Sequence, residues 1–250
     1  MGLRRFEKQA LEAYKAKQWL LRKTPGQRHI RNEMHLQPEL RWWLVYGPPR
    51  SGTSYMMRLI KTCSRLYVSD WSLGIFIARI PDWLQFRSHP VHDYITFDPD
   101  RLLSDISSNI LDNAYAGDGD QLDLIYKQAG MPPKVVQTLS RMWGPPERMI
   151  FCLREPAGYM ASSAKKFTEG SRERRQEVYI QSVNSYLEVG GEIFEYTPEL
   201  SLSDYLAFLE PLNFEGKRLP PFGYRGEQDQ DAVSEEMWYA YHRIKDLVAD

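Results

Sequence analysis

Gly47-Pro48-Pro49-Arg50-Ser51-Gly52-Thr53-Ser54 is the segment best suited to chemistry. It has the Gly-x4-Gly frame of a loop whose backbone N–H groups cradle a phosphate, and it lies between an apolar run and a helix-like one, as such a loop must. Thr53 stands where a nucleotide kinase carries its lysine, so the usual grip on the β and γ phosphates is missing. Arg50 can supply the cation instead, while N–H groups from Ser51 to Ser54 point at an anion from the start of the next helix. Roughly a hundred residues later, Phe151-Cys152-Leu153-Arg154-Glu155-Pro156 leads to Ser162 and Ser163. A guanidinium at a strand end and a hydroxyl one or two helical turns on can converge on one phosphate. Taken alone, such an arginine is more often part of a surface ion pair.

A third segment, Glu192-Ile193-Phe194-Glu195-Tyr196-Thr197-Pro198-Glu199-Leu200, precedes the helix-like Tyr205-Leu206-Ala207-Phe208-Leu209. These three stretches together resemble the PAPS-dependent sulfotransferases (PAPS, 3′-phosphoadenosine-5′-phosphosulfate), whose 5′-phosphosulfate loop commonly reads Pro-Lys-Ser-Gly-Thr-Thr or Pro-Arg-Ser-Gly-Thr-Ser. Members of that family also carry an Arg at a strand end, a Pro two later and a Ser eight later, and Arg154, Pro156 and Ser162 reproduce that spacing. The third segment is similar to the family's Tyr-Glu-Asp-Leu strand end and its helix. What the resemblance implies is a P-loop-containing, sulfotransferase-like fold that moves a sulfuryl group from PAPS to a hydroxyl or amine of a small molecule without a metal. Pro49, Arg50, Ser51, Gly52, Thr53 and Ser54 would hold the phosphosulfate, and Arg154 and Ser162 the 3′-phosphate.

Two departures from the family bear on the site. Its late Arg-Lys-Gly and Gly-x-Trp-Lys segment is represented only by Tyr224-Arg225-Gly226, leaving Arg225 either a 3′-phosphate contact or an ordinary loop residue. Its Lys-Thr-His strand, with histidine as base, corresponds to Lys134-Val135-Val136-Gln137-Thr138-Leu139, which has no histidine. Other branches use a carboxylate soon after the first helix, and Asp70 stands in about that place. A base must take the acceptor's proton while Arg50 and the loop amides meet the charge on the leaving phosphate. Asp70 is the first candidate and His92 the second; a helix cap and a loop histidine are their bland alternatives.

The elements that must position these residues follow from pattern. Trp42 to Tyr46 is a short aromatic and β-branched run ending at Gly47, as a buried strand would, and Tyr55 to Ile60 has helical spacing. Lys134 to Leu139, Arg148 to Leu153 and Ile193 to Tyr196 are the further strand candidates, while 98–130 reads as mostly helical. Strands separated by helices predict an α/β fold: a single domain over 1–250, a mainly parallel sheet with helices on both faces, and ligands at the carboxyl ends of the strands. Residues 1–40 read as a helical extension packed on that domain, and the aromatic stretch from Trp71 to Phe97 as covering elements.

Composition narrows the class. Of 250 residues 42% are hydrophobic and 13% aromatic, as in folded proteins, and a formal net charge of −1 provides no global field for nucleic acid. The two cysteines, Cys63 and Cys152, sit in apolar runs without metal-ligand spacing, which favours buried free thiols. Neither a signal peptide nor an apolar run of membrane-spanning length is evident, so a cytoplasmic protein without a transmembrane segment is expected. The oligomeric state stays open. Two rival readings also stay open: a noncatalytic protein binding PAP (3′,5′-adenosine bisphosphate) or another nucleotide, and a nucleotide kinase with an altered loop.

Overall fold

A computed structural model of the chain describes residues 39–63, 103–107, 121–129, 133–210, 212–222, 228–229 and 233–249. The expected N-terminal helix and the aromatic stretch from Trp71 to Phe97 lie outside them. Residues from Pro38 onward belong to one compact unit.

Four strands build the sheet: β1 Glu39–Gly47, β2 Gln121–Ala129, β3 Arg148–Arg154 and β4 Glu192–Tyr196, in the order β2-β1-β3-β4. All three pairings are parallel, so the fold is α/β. Side chains alternate between two buried faces because successive strand residues point to opposite sides. Trp42, Leu44 and Tyr46 of β1, with Phe151 and Leu153 of β3, enter one core. Trp43 and Val45, with Ile150 and Cys152, enter the other. A sheet covered on both faces reads as a continuous apolar run, which is what the strands of such a parallel sheet require.

Helix α1, Thr53–Cys63, covers the second face with Met56, Leu59 and Ile60 at helical spacing. Helices α2 Pro133–Trp143, α3 Pro156–Lys166, α4 Arg172–Val189 and α6 Glu235–Ala249 cover the first, the last through Met237, Ala240 and Ile244. Helix α5, Leu202–Phe208, returns to the second face through Tyr205. Each large apolar side chain buried this way contributes roughly 1.5–3 kcal/mol. Since α1 follows β1 onto one face and α3 follows β3 onto the other, the β1 and β3 connections part above the sheet. That divergence is the switch point at which ligands of open α/β sheets bind.

Two expected elements are corrected. Residues Lys134–Leu139 are not a strand but the body of α2: Pro133 occupies its first position, and Val135, Thr138, Leu139 and Trp143 form one buried stripe. Helical packing of that stripe overrides the β preference of Val135, Val136 and Thr138. Conversely, Gln121–Ala129, expected within a helical region, is the strand β2, with Leu124 and Tyr126 facing one core and Ile125 the other. Of the cysteines, Cys152 is buried and Cys63 only half-buried, and both are free thiols. No helix among the described residues is long and apolar enough to cross a membrane.

Gly47 closes β1 at φ 142°, and a Cβ there would sit 2.4 Å from the carbonyl oxygen of Cys152. That oxygen belongs to the neighbouring strand and cannot swing aside. Gly47→Ala should therefore lower stability by about 2–4 kcal/mol through strain and strand separation, measured as a shift in the urea unfolding midpoint.

Candidate functional site

Between β1 and α1 the backbone turns sharply, with positive φ at Gly47 (142°), Arg50 (69°) and Gly52 (85°). The Ser51 N–H donates to the Pro48 carbonyl at 3.3 Å, and the Tyr55 and Met56 N–H groups donate to the Gly52 carbonyl at 2.9 and 3.0 Å, which starts the helix. The first N–H groups of any helix have no intrahelical acceptor. Here they belong to the loop, at the positive end of α1, which is the arrangement that attracts anions.

Gly52 is needed for space as well as for φ: a Cβ would lie 2.8 Å from Cδ2 of Tyr196 and 3.3 Å from the Tyr205 hydroxyl. Those two tyrosines come from the end of β4 and from α5, so the third sequence segment packs directly beneath the loop. Tyr205 packs in a ring cluster, edge-on to Tyr55 and Phe222 and tilted against Phe194. Burial pushes its phenol well above the ordinary tyrosine range, so it faces the loop as a neutral hydroxyl. Ser51 is fully buried, and neither its Oγ nor the Tyr205 hydroxyl has a hydrogen-bond partner among the described residues.

The second constellation meets the loop. Arg50 Nε donates to Ser162 Oγ at 3.1 Å, and Arg154 Nη1 donates to the Arg50 carbonyl at 3.1 Å. Having accepted from Arg50, the Ser162 hydroxyl keeps its own proton to donate. Arg50 is exposed and presents its guanidinium at the surface of the site, whereas Arg154 is 4% exposed. The Arg154 guanidinium carbon lies 5.1 Å from the Tyr196 ring centre, and its backbone carbonyl accepts from the Tyr179 hydroxyl at 2.7 Å. Cys152, two residues earlier, is fully buried, and that burial pushes its thiol well above the ordinary range.

The arrangement thus brings together Pro49 to Ser54, Arg154 and Ser162. Asp70, His92 and Arg225 lie outside the described residues. Gln228 and Asp229, just after Arg225 in sequence, are bonded beside the site: Gln228 Nε2 donates to Glu155, and the Asp229 N–H to the Ala157 carbonyl at 3.2 Å. Sequence reasoning overlooked Gly158 and Tyr179 and gave Tyr196 and Tyr205 only a structural part. A tyrosine closing a strand beside the arginine strand was the available signal for Tyr196; nothing local marks Tyr179.

No family model matches the chain, and no curated protein matches it. Among solved structures, a sulfotransferase domain of the Synechococcus PCC 7002 olefin synthase aligns at TM-score 0.41 and 15% identity, covering 65% of this chain and 67% of that one. An unliganded sugar kinase from Janibacter sp. HTCC2649 aligns at TM-score 0.34 and 13% identity, covering 68% and 91%. At those scores neither likeness says what this chain does.

A left-handed conformation at a residue with a Cβ costs roughly 1–2 kcal/mol. Arg50→Gly should therefore be more stable than Arg50→Ala by about 1 kcal/mol in urea unfolding, although both lose the guanidinium. Equal stabilities would show that the loop does not hold position 50 in this conformation.

Proposed function

We propose that the chain is a sulfotransferase that takes PAPS as donor and a small-molecule hydroxyl or amine as acceptor. The observation that carries this reading is the bonded set of Arg50, Ser162 and Arg154, which joins a phosphate-type loop to a second anion-binding pair far away in sequence. A ligand with anionic groups at two ends of a nucleoside matches two such subsites side by side. The residues fit that donor: the loop offers amides, the Arg50 guanidinium and the buried Ser51 hydroxyl, while Ser162 and Arg154 offer further donors close by.

Bound there, the donor supplies a sulfuryl group: an acceptor lone pair forms the new bond to sulfur as the bond from sulfur to the 5′-phosphate oxygen breaks, its electron pair leaving on PAP. Arg50 and the amides opening α1 meet the charge that grows on that phosphate oxygen, and they do so preorganised, without solvent rearrangement. Ser162 and Arg154 hold the far end of the nucleotide and so fix its direction, which converts a bimolecular encounter into an oriented one. The acceptor's proton goes to a base, for which Asp70 remains the first proposal and His92 the second.

Adding PAP to the purified protein should raise its thermal midpoint, since a ligand that binds only the folded state stabilises it by mass action. The shift should vanish in Arg50→Ala and in Arg154→Ala. No shift with PAP, or a larger one with ATP and magnesium, would overturn the donor assignment in favour of a kinase-type site. With the donor established, Asp70→Asn and His92→Ala, assayed for sulfuryl transfer across an acceptor panel, separate the two candidate bases.

A further inference from the structure

Gly158 occupies the first turn of α3, four residues after Arg154, where its φ is not positive and no turn calls for glycine. By helix propensity alone alanine would serve better there. What the position lacks is room. A Cβ built on Gly158 would lie 2.8 Å from Arg154 Nε, 3.3 Å from Nη2 and 3.4 Å from Cζ. All three of its nearest atoms belong to that one guanidinium group, so the closest packing demand on the position comes from Arg154. Arg154 is buried and bonded to the Arg50 carbonyl, so a side chain on the helix at this position would push its guanidinium out of the place it now holds.

The consequence is electrostatic as well as steric. The first turn of a helix carries the partial positive charge of its unpaired N–H groups. With Arg154 laid on that turn, a full cation and the helix's own positive end come to the same place, one turn before Ser162. The Arg50 carbonyl and the Tyr196 ring hold the guanidinium from other elements. We infer that Gly158 is a positioning residue: its missing side chain admits the Arg154 guanidinium to the first turn of α3, and selectivity for a nucleotide carrying a 3′-phosphate rests on that placement. This deepens the donor reading above and rests on it.

The test is calorimetric titration of the full-length protein with PAP and with 5′-AMP, which lacks the 3′-phosphate, for wild type, Gly158→Ala, Arg154→Ala and the double variant. Losing charge-assisted hydrogen bonds to a phosphate should weaken PAP binding in Gly158→Ala by at least about tenfold, with 5′-AMP binding little changed. A purely local helical role predicts the opposite sign, a more stable protein with PAP preferred as before. In the double variant the loss should be no greater than in Arg154→Ala alone, because the clash and the contact are the same event. Thermal midpoints give a second reading should Gly158→Ala fold poorly: removing the Arg154 side chain should then restore the midpoint to that of Arg154→Ala. A Gly158→Ala protein that keeps its preference for PAP, or additive effects in both readouts, would overturn the inference. Wild type that binds PAP no better than 5′-AMP fails the donor reading itself, and the role of Gly158 with it.

Discussion

The parallel pairing of β1 with β3 is the constraint on which the site depends. Tyr46 stands opposite Phe151, so β1 stops at Gly47 beside Cys152 while β3 continues for two residues to Arg154. That offset is small, and it decides which groups meet. It places an arginine just above the turn of the phosphate-type loop, close enough for its guanidinium to reach the Arg50 carbonyl. Without an alanine-sized Cβ at Gly47 the strands approach closely enough to keep the register, and α1 and α3 leave on opposite faces of the sheet.

The loop itself is held in a conformation that it would not adopt alone. Arg50 has a left-handed backbone without being glycine, and such strain persists only where surrounding contacts over-determine it. Here the contacts come from the second constellation: one bond to the Arg50 carbonyl, and one from its side chain to Ser162. Beneath the loop, Tyr196 and Tyr205 fill the space that a side chain at Gly52 would need. The Arg50 guanidinium, the loop amides and the Ser162 hydroxyl are therefore placed by contacts within the chain itself.

The far end of the sheet is secured separately. Arg148, at the start of β3, donates through Nε to Glu192 at 2.6 Å, pairs a second time with it through Nη2, and donates to the Phe208 carbonyl at 3.0 Å. Its guanidinium also stacks near Trp43 and Phe208, 5.2 and 5.1 Å from the ring centres. One side chain thus ties β1, β3, β4 and α5 together at the end opposite the site. A paired, fork-shaped contact of this kind carries directional precision beyond its energy, and it holds β4 so that Tyr196 arrives beside Arg154.

The chain's local pattern was enough to find the loop, the strand before it and the helix after it, because glycine punctuation and a short apolar run act over a few residues. It was enough also for β3 and β4. It misplaced Lys134–Leu139 and Gln121–Ala129, since a short apolar or β-branched segment fits either period until a neighbour chooses its face. What only the tertiary structure decided is which distant groups meet: the Arg50 side chain on Ser162, Arg154 on the Arg50 backbone and against Gly158, Tyr205 under Gly52, Tyr179 on the Arg154 carbonyl. Those contacts depend on strand order and register, which no local spacing encodes, because each is set by the burial of whole faces rather than by the residues that touch.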